Sequence, residues 1–167
     1  MKELASWALD TATQRGATYA DVRVGDDRSR ALATKNGKIG NASDSRSQGF
    51  NIRVIVDGAW GFASSAELSR ASVEATAAQA VAVARASAKV KQKDVQLVPE
   101  NAVTAEWTTP HKIDPFSTSI EQNLALLQKI DSELRSVQGI TLAETNLNFR
   151  RDEQWFFSSE GANIHQT

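Results

Sequence analysis

The side chains able to carry hydrolytic or redox chemistry are few in this chain, and their spacing gathers none of them into a set. The 167 residues include two histidines and no cysteine, which removes thiol nucleophiles and disulfide frameworks from consideration. Zinc sites take three or four His, Cys or carboxylate ligands held on rigid elements. Here His111 lies in a proline-containing connector and His165 close to the last residue, and both read as surface histidines. Serines are plentiful, but no G-x-S-x-G elbow sets one beside a base. Neither glycine-rich phosphate loop occurs. The paired carboxylates Asp26-Asp27 and Asp152-Glu153 are the remaining acid-base candidates. Adjacent side chains on a strand point to opposite faces, so both pairs read as solvated turn residues.

The elements that would position such residues centre on Tyr19–Ser65. Phe50, Ile52, Val54 and Val56 alternate with Asn51, Arg53 and Asp57, the period of a half-buried strand. Asp57-Gly58 and Asn36-Gly37 supply two tight hairpin turns. Trp60 and Phe62 are expected to resume the alternation on the buried side, with Gly58 and Gly61 serving turn geometry and close packing. Upstream, Ala20, Val22 and Val24 alternate with Asp21 and Arg23. The pattern predicts an antiparallel meander of about four strands, one face buried and one wet.

Covering helices are expected on both sides of this meander in sequence. Residues 2–15 carry Leu4, Trp7, Ala8 and Thr11 at helical spacing, ending at Gly16. Ser64-Ser-Ala-Glu67 matches a capping box, and an alanine-rich helix should run from it to near Lys89. Lys89, Lys91 and Lys93 read as its solvated end. Pro99, Pro110 and Pro115 then exclude regular helix, although 102–108 can hold one strand with Trp107 anchored on the core. Thr118-Ser-Ile-Glu121 is a second capping box, followed by the stripe Ile120, Leu124, Leu127, Ile130 and Leu134. Ile140–Phe149 and Gln154–Ser159 read as two strands joined by charged residues, and Asn163–Thr167 as the opening of a strand. The fold class is α+β: a mainly antiparallel β-meander covered by helices, as a single domain over 1–167.

A formal net charge of −1 argues against global attraction to nucleic acid or anionic lipid. A single-strand-binding face should also interleave cations with exposed aromatics, whereas Phe50, Trp60 and Phe62 share the expected core parity. No apolar run reaches membrane-spanning length, and the start lacks the run of a signal peptide; the expected compartment is the cytoplasm. The residue singled out for function is Arg53, a long cation on the wet face beside a hairpin, placed to meet a peptide carboxylate or a second subunit. Its replacement by Ala is expected to spare folding.

Several stretches resemble the TldD/PmbA family, also named modulators of DNA gyrase. They are Gly16-Ala-Thr-Tyr-Ala-Asp-Val-Arg-Val24, Lys35-Asn-Gly-Lys38, Gly49-Phe-Asn-Ile-Arg-Val-Ile-Val-Asp-Gly-Ala-Trp-Gly-Phe-Ala-Ser-Ser65 and Ser158-Ser-Glu-Gly161. Their order matches the family's N-terminal domain, and the form of the third block is closer to the TldD branch. The resemblance implies a cytoplasmic zinc metalloprotease that acts on peptides or unfolded protein as a homo- or hetero-dimer of TldD/PmbA-type subunits. It places the zinc-binding His-Glu-x-x-x-His helix in a C-terminal metal-binding domain not present here, so no catalytic, cofactor or metal residue is assigned in this chain. The N-terminal domain would help enclose the peptide cleft and the subunit interface. A stand-alone sheet-edge interaction module and a gyrase- or nucleic-acid-associated modulator are the alternatives.

Overall fold

The computed structural model describes residues 1–167. In chain order the elements are α1 (Lys2–Gln14), β1 (Tyr19–Lys35), β2 (Lys38–Val56), β3 (Ala59–Ser65), α2 (Arg70–Ala88), β4 (Thr104–Trp107), a 3-10 turn (Pro115–Ser117), α3 (Ile120–Ser136), β5 (Glu144–Ser158) and β6 (Asn163–Gln166). The six strands form one sheet in the order β3-β2-β1-β5-β6-β4. Pairing is antiparallel for β2 with β3 and β5 with β6, and parallel for β4 with β6. The fold is therefore α+β with a mostly antiparallel sheet, as expected from the sequence.

Both hairpin turns form where the sequence places them. Asn36 and Asp57 adopt φ of 49° and 50°, and Gly37 and Gly58 follow at 79° and 70°. That run of left-handed residues is what Asn-Gly and Asp-Gly tolerate best. The strands they join are longer than the alternation suggested. β1 and β2 are continuous through the polar stretch 27–47, and Asp26-Asp27 lie inside β1 rather than in a turn. Likewise Arg150–Glu153 do not separate two strands: β5 runs through them, which removes the second supposed turn pair.

The chain clusters into two compact units, residues 1–26, 48–108 and 153–167 forming the first and residues 27–47 and 109–152 the second. In the first, Ala20, Val22, Val24, Phe50, Ile52, Val54 and Val56 pack with Leu4, Ala8 and Ala12 of α1 and with Val73, Ala77, Ala80 and Ala84 of α2 in one cluster. Burying each Val, Leu, Ile or Phe side chain there contributes about 1.5–3 kcal/mol. The small residues of α2 allow backbone-to-backbone approach: a Cβ on Gly61 would stand 2.0 Å from the Ala80 carbonyl oxygen and 2.6 Å from the Ala84 nitrogen. α2 starts later than its sequence signal, because Ser69 is the cap that accepts from the Ser72 amide, while Ser65 accepts from the Glu67 amide in the preceding turn.

The second unit is organised differently. Its helix, α3, begins at a capping box formed by Ser119 and Gln122, one residue beyond the predicted start. The side it buries is Asn123, Leu127 and Asp131, whereas Ile130 and Leu134 of the expected apolar stripe are exposed. Asp131 is fully buried: it accepts from the Thr34 hydroxyl at 3.1 Å and from the Arg135 Nε at 2.6 Å, with Thr145 bonded to Thr34 at 2.7 Å. A polar seam replaces the aliphatic one that periodicity implied. Nearby in this unit, Arg28, Arg30 and Arg151 all lie over the Phe116 ring, and Asp44 binds the first two.

Candidate functional site

Residues paired across a sheet share a face, and in the first unit the register defines the face turned away from α1 and α2. Phe62 pairs with Arg53, Phe156 with Ile164, Gln154 with Gln166, and Gln166 in turn with Trp107. Arg53 reaches Asp21 and Arg23 stacks on Phe156, which adds β1 to the same row. Trp60 and Phe62 are thus on the open face, not in the core: Phe62 is 53% exposed. The reason is visible at the turn. Val56 pairs with Ala59, so Ala59 and Ala63 continue the buried parity, and Gly61 lies between them against α2. Trp107, 57% exposed, does not anchor on the core either.

Arg53 lies on this face on β2, next to the edge strand β3, and it is not free. Its Nε donates to both oxygens of Asp21 at 3.1 and 3.0 Å, and its Nη2 donates to one of them at 2.6 Å. Arg23 Nη1 donates to the same carboxylate at 2.9 Å. Asp21, expected on a wet face, is fully buried beneath the two guanidiniums, whose side chains remain 31% exposed for Arg23 and 38% for Arg53. Each guanidinium also lies over a ring, Arg23 4.7 Å from the Phe156 centroid and Arg53 5.1 Å from that of Trp60. Tyr19 meets Trp60 edge-on at 5.8 Å.

The electrostatics follow from this packing. The hydrogen bonds to Asp21 raise the Arg53 guanidinium further above its usual range and hold it charged. Burial, then the nearby Asp21 charge and its hydrogen bond, push the Tyr19 phenol up to about 12. One carboxylate against two guanidiniums leaves the cluster with a net positive charge. Beside it, Arg23, Gln154, Phe156, Ile164 and Gln166 line an open cavity of about 180 Å³.

The remaining sequence candidates do not converge on this place. His111 bonds the Thr109 carbonyl from an exposed position. His165 has Glu106 at 3.3 Å on Nδ1 and Glu153 at 2.9 Å on Nε2, with its ring stacked on Trp155. Glu153 therefore faces a histidine while Asp152 pairs with Arg150. No three His, Asp or Glu side chains stand close enough to hold a metal ion. The zinc that the family resemblance implies has no fitting ligand set among these residues.

The geometry defines an α+β fold whose first unit packs α1 and α2 on one side of its strands and displays paired arginines among aromatic rings on the other. Residues 20–84 match the family described as PmbA/TldA metallopeptidase domain 1, and the likeness of the chain to the PmbA/TldD family is carried by this stretch. It is similar to a metalloprotease of Methanocaldococcus jannaschii, 25% identical over 87% of this chain and 32% of that protein. A metalloprotease of Methanothermobacter thermautotrophicus is 44% identical over 31% of this chain and 12% of its own length. Among solved structures, a Bacteroides thetaiotaomicron protein named as a modulator of DNA gyrase superposes with a TM-score of 0.76 at 18% identity, over 98% of this chain and 38% of that one. Thermococcus kodakarensis TldE superposes at 0.74 with 16% identity, over 95% and 35%. The chain thus spans about a third of the length of its M. jannaschii relative and of these solved proteins.

Proposed function

We propose that this chain serves as the non-catalytic N-terminal domain of a TldD-like cytoplasmic zinc metalloprotease, and that its open sheet face forms part of the peptide-binding cleft and of the contact with a TldD/PmbA-type subunit. One observation carries the reading: the face opposite the helices presents Arg23, Arg53, Phe62 and Trp107 to solvent with no element of the first unit packed over them. Exposed aromatics interleaved with anchored cations are the composition of a recognition surface. Extended peptides suit such a surface because their side chains recur on one side at every second residue, the same period as the positions along each strand of this face. Zinc and the residues that activate water belong, on this reading, to a separate C-terminal domain.

The test is direct. An unstructured, fluorescently labelled polypeptide should bind this chain saturably, Phe62→Ser should weaken that binding, and no peptide bond should be cleaved with or without added zinc. Stoichiometric zinc uptake with peptide hydrolysis by this chain would overturn the non-catalytic assignment. A second reading, a stand-alone interaction module working through a sheet edge, draws on a different observation. β3 pairs with β2 only along Phe50–Val56, so Lys38–Ser47 of β2 run exposed with one edge uncovered.

A further inference from the structure

We infer that the Arg23–Arg53 face is a carboxylate-reading site: it seats an extended peptide by a carboxylate on Arg23 and receives a neighbouring side chain in the cavity floored by Phe156 and Ile164. The inference rests on the peptide-cleft reading and deepens it by naming the chemistry recognised.

Four features of the site support it. Asp21 engages only Nη1 of Arg23, so the Nε and Nη2 groups of that guanidinium are left for another acceptor. A guanidinium fixed on one side by a carboxylate and below by the Phe156 ring at 4.7 Å loses little freedom when it forks onto a second carboxylate. The cluster retains net positive charge, which complements an anion and disfavours a cationic or neutral end group. Finally, the cavity of about 180 Å³ combines an apolar floor with the Gln154 and Gln166 amides, themselves bonded at 3.1 Å, at its wall. That volume suits a single side chain rather than a whole cofactor, which typically needs roughly 300–1,000 Å³.

A phosphodiester chain is the competing anion, and the same face argues against it. Nucleic acid is held by a track of cations along successive phosphates. Here a buried carboxylate sits between the two cations, and the rest of the row, Phe62, Phe156, Ile164, Gln154, Gln166 and Trp107, adds no further cation to make a track.

The experiment is a calorimetric titration of the 167-residue chain with three short peptides: one ending in a free acid, the same peptide as its C-terminal amide, and the amide carrying one internal Asp. At least one acidic form should bind about tenfold tighter than the plain amide, the low end for a hydrogen bond to a charged group at a partly exposed site. Preference for the free acid alone assigns a C-terminal carboxylate, and preference for the internal Asp as well assigns any peptide carboxylate. Arg23→Gln should erase the preference while circular dichroism stays unchanged, because Asp21 keeps Arg53; Arg23→Lys should retain only part of it. If amide and acid bind equally, or if Arg23→Gln keeps the full difference, the carboxylate assignment falls while the peptide-cleft reading stands. If no peptide binds, both fall. A single-stranded oligonucleotide that binds tighter than every peptide and competes with them assigns the face to phosphate and overturns the inference.

Discussion

Replacing Arg53 by Ala tests whether this arginine is an accessory cation or part of the folded framework. Asp21 is fully buried and receives three contacts from Arg53 between 2.6 and 3.1 Å, against one from Arg23 at 2.9 Å. Truncating one partner of a buried ion pair costs about 3–5 kcal/mol when the remaining charge is stranded. Arg23 stays with Asp21 and the Arg53 side chain is 38% exposed, so the expectation drops to about 2–3 kcal/mol, the upper part of the range for hydrogen bonds to a charged group. For a chain of this size that lowers the melting temperature by about 4–12 °C. The sequence alone suggested that folding would be spared; the structure reverses that expectation. The assay is urea unfolding followed by tryptophan fluorescence for wild type, Arg53→Ala, Asp21→Asn and the double variant. The two single effects should be strongly non-additive. Fully additive costs, or an unchanged midpoint for Arg53→Ala, would refute the pairing as a stabilising contact.

Other outcomes follow from the same packing. Tyr19 is the only tyrosine, so absorbance near 295 nm should report a single phenol ionising at about 12 in the native chain and at 10.0 in denaturant. Because the folded value is raised, this contribution to stability is complete below pH 10 and is lost as pH climbs through about 12; Asp21→Asn should move the native midpoint down. Asp44 is held at about 2 by hydrogen bonds from Arg28 and then Arg30, against an ordinary 3.8. Its contribution is present above pH 3.8 and fades as pH falls through about 2, which carboxyl-carbon NMR should show. Gly61→Ala should destabilise by about 3 kcal/mol or more, since the new methyl meets α2 backbone at 2.0 Å and only a shift of β3 or α2 relieves it. Thermal melts would detect this, and a loss under about 1 kcal/mol would count against the close approach. His165→Ala removes the bridge between Glu106 of β4 and Glu153 of β5, and hydrogen exchange across 104–107 should quicken.

Much of the architecture was legible in the residues, because the turn chemistry is explicit. Asn36-Gly37 and Asp57-Gly58 fix two hairpins, and the run Phe50–Val56 declares its buried face. What misled was size. After the second turn the buried positions are Ala59, Gly61 and Ala63, chosen small so that α2 can press close, while the large apolar Trp60 and Phe62 face outward. A reading that assigns the bulkiest residues to the core inverts that strand. The alanine face of α2 was the available signal, since small residues on a helix demand small partners opposite. The inversion also undoes the sequence-level ground for setting nucleic acid aside, because the rings and arginines do interleave on one face. α3 failed in the opposite sense: its buried side carries Asn123 and Asp131, whose partners Thr34 and Arg135 become visible only once β1 and α3 are placed. Arg53 is legible as a cation on the strand face away from the core, but its carboxylate lies 32 residues away in sequence and could not be paired with it from spacing.

The central claim is that peptide meets the sheet face opposite the helices. Amide chemical-shift mapping during titration with an extended peptide tests it most directly. The account predicts shifts concentrated at Arg23, Arg53, Phe62, Phe156 and Ile164, with α1 and α2 unmoved. Shifts confined to the helices, or to Lys38–Ser47 alone, would contradict it.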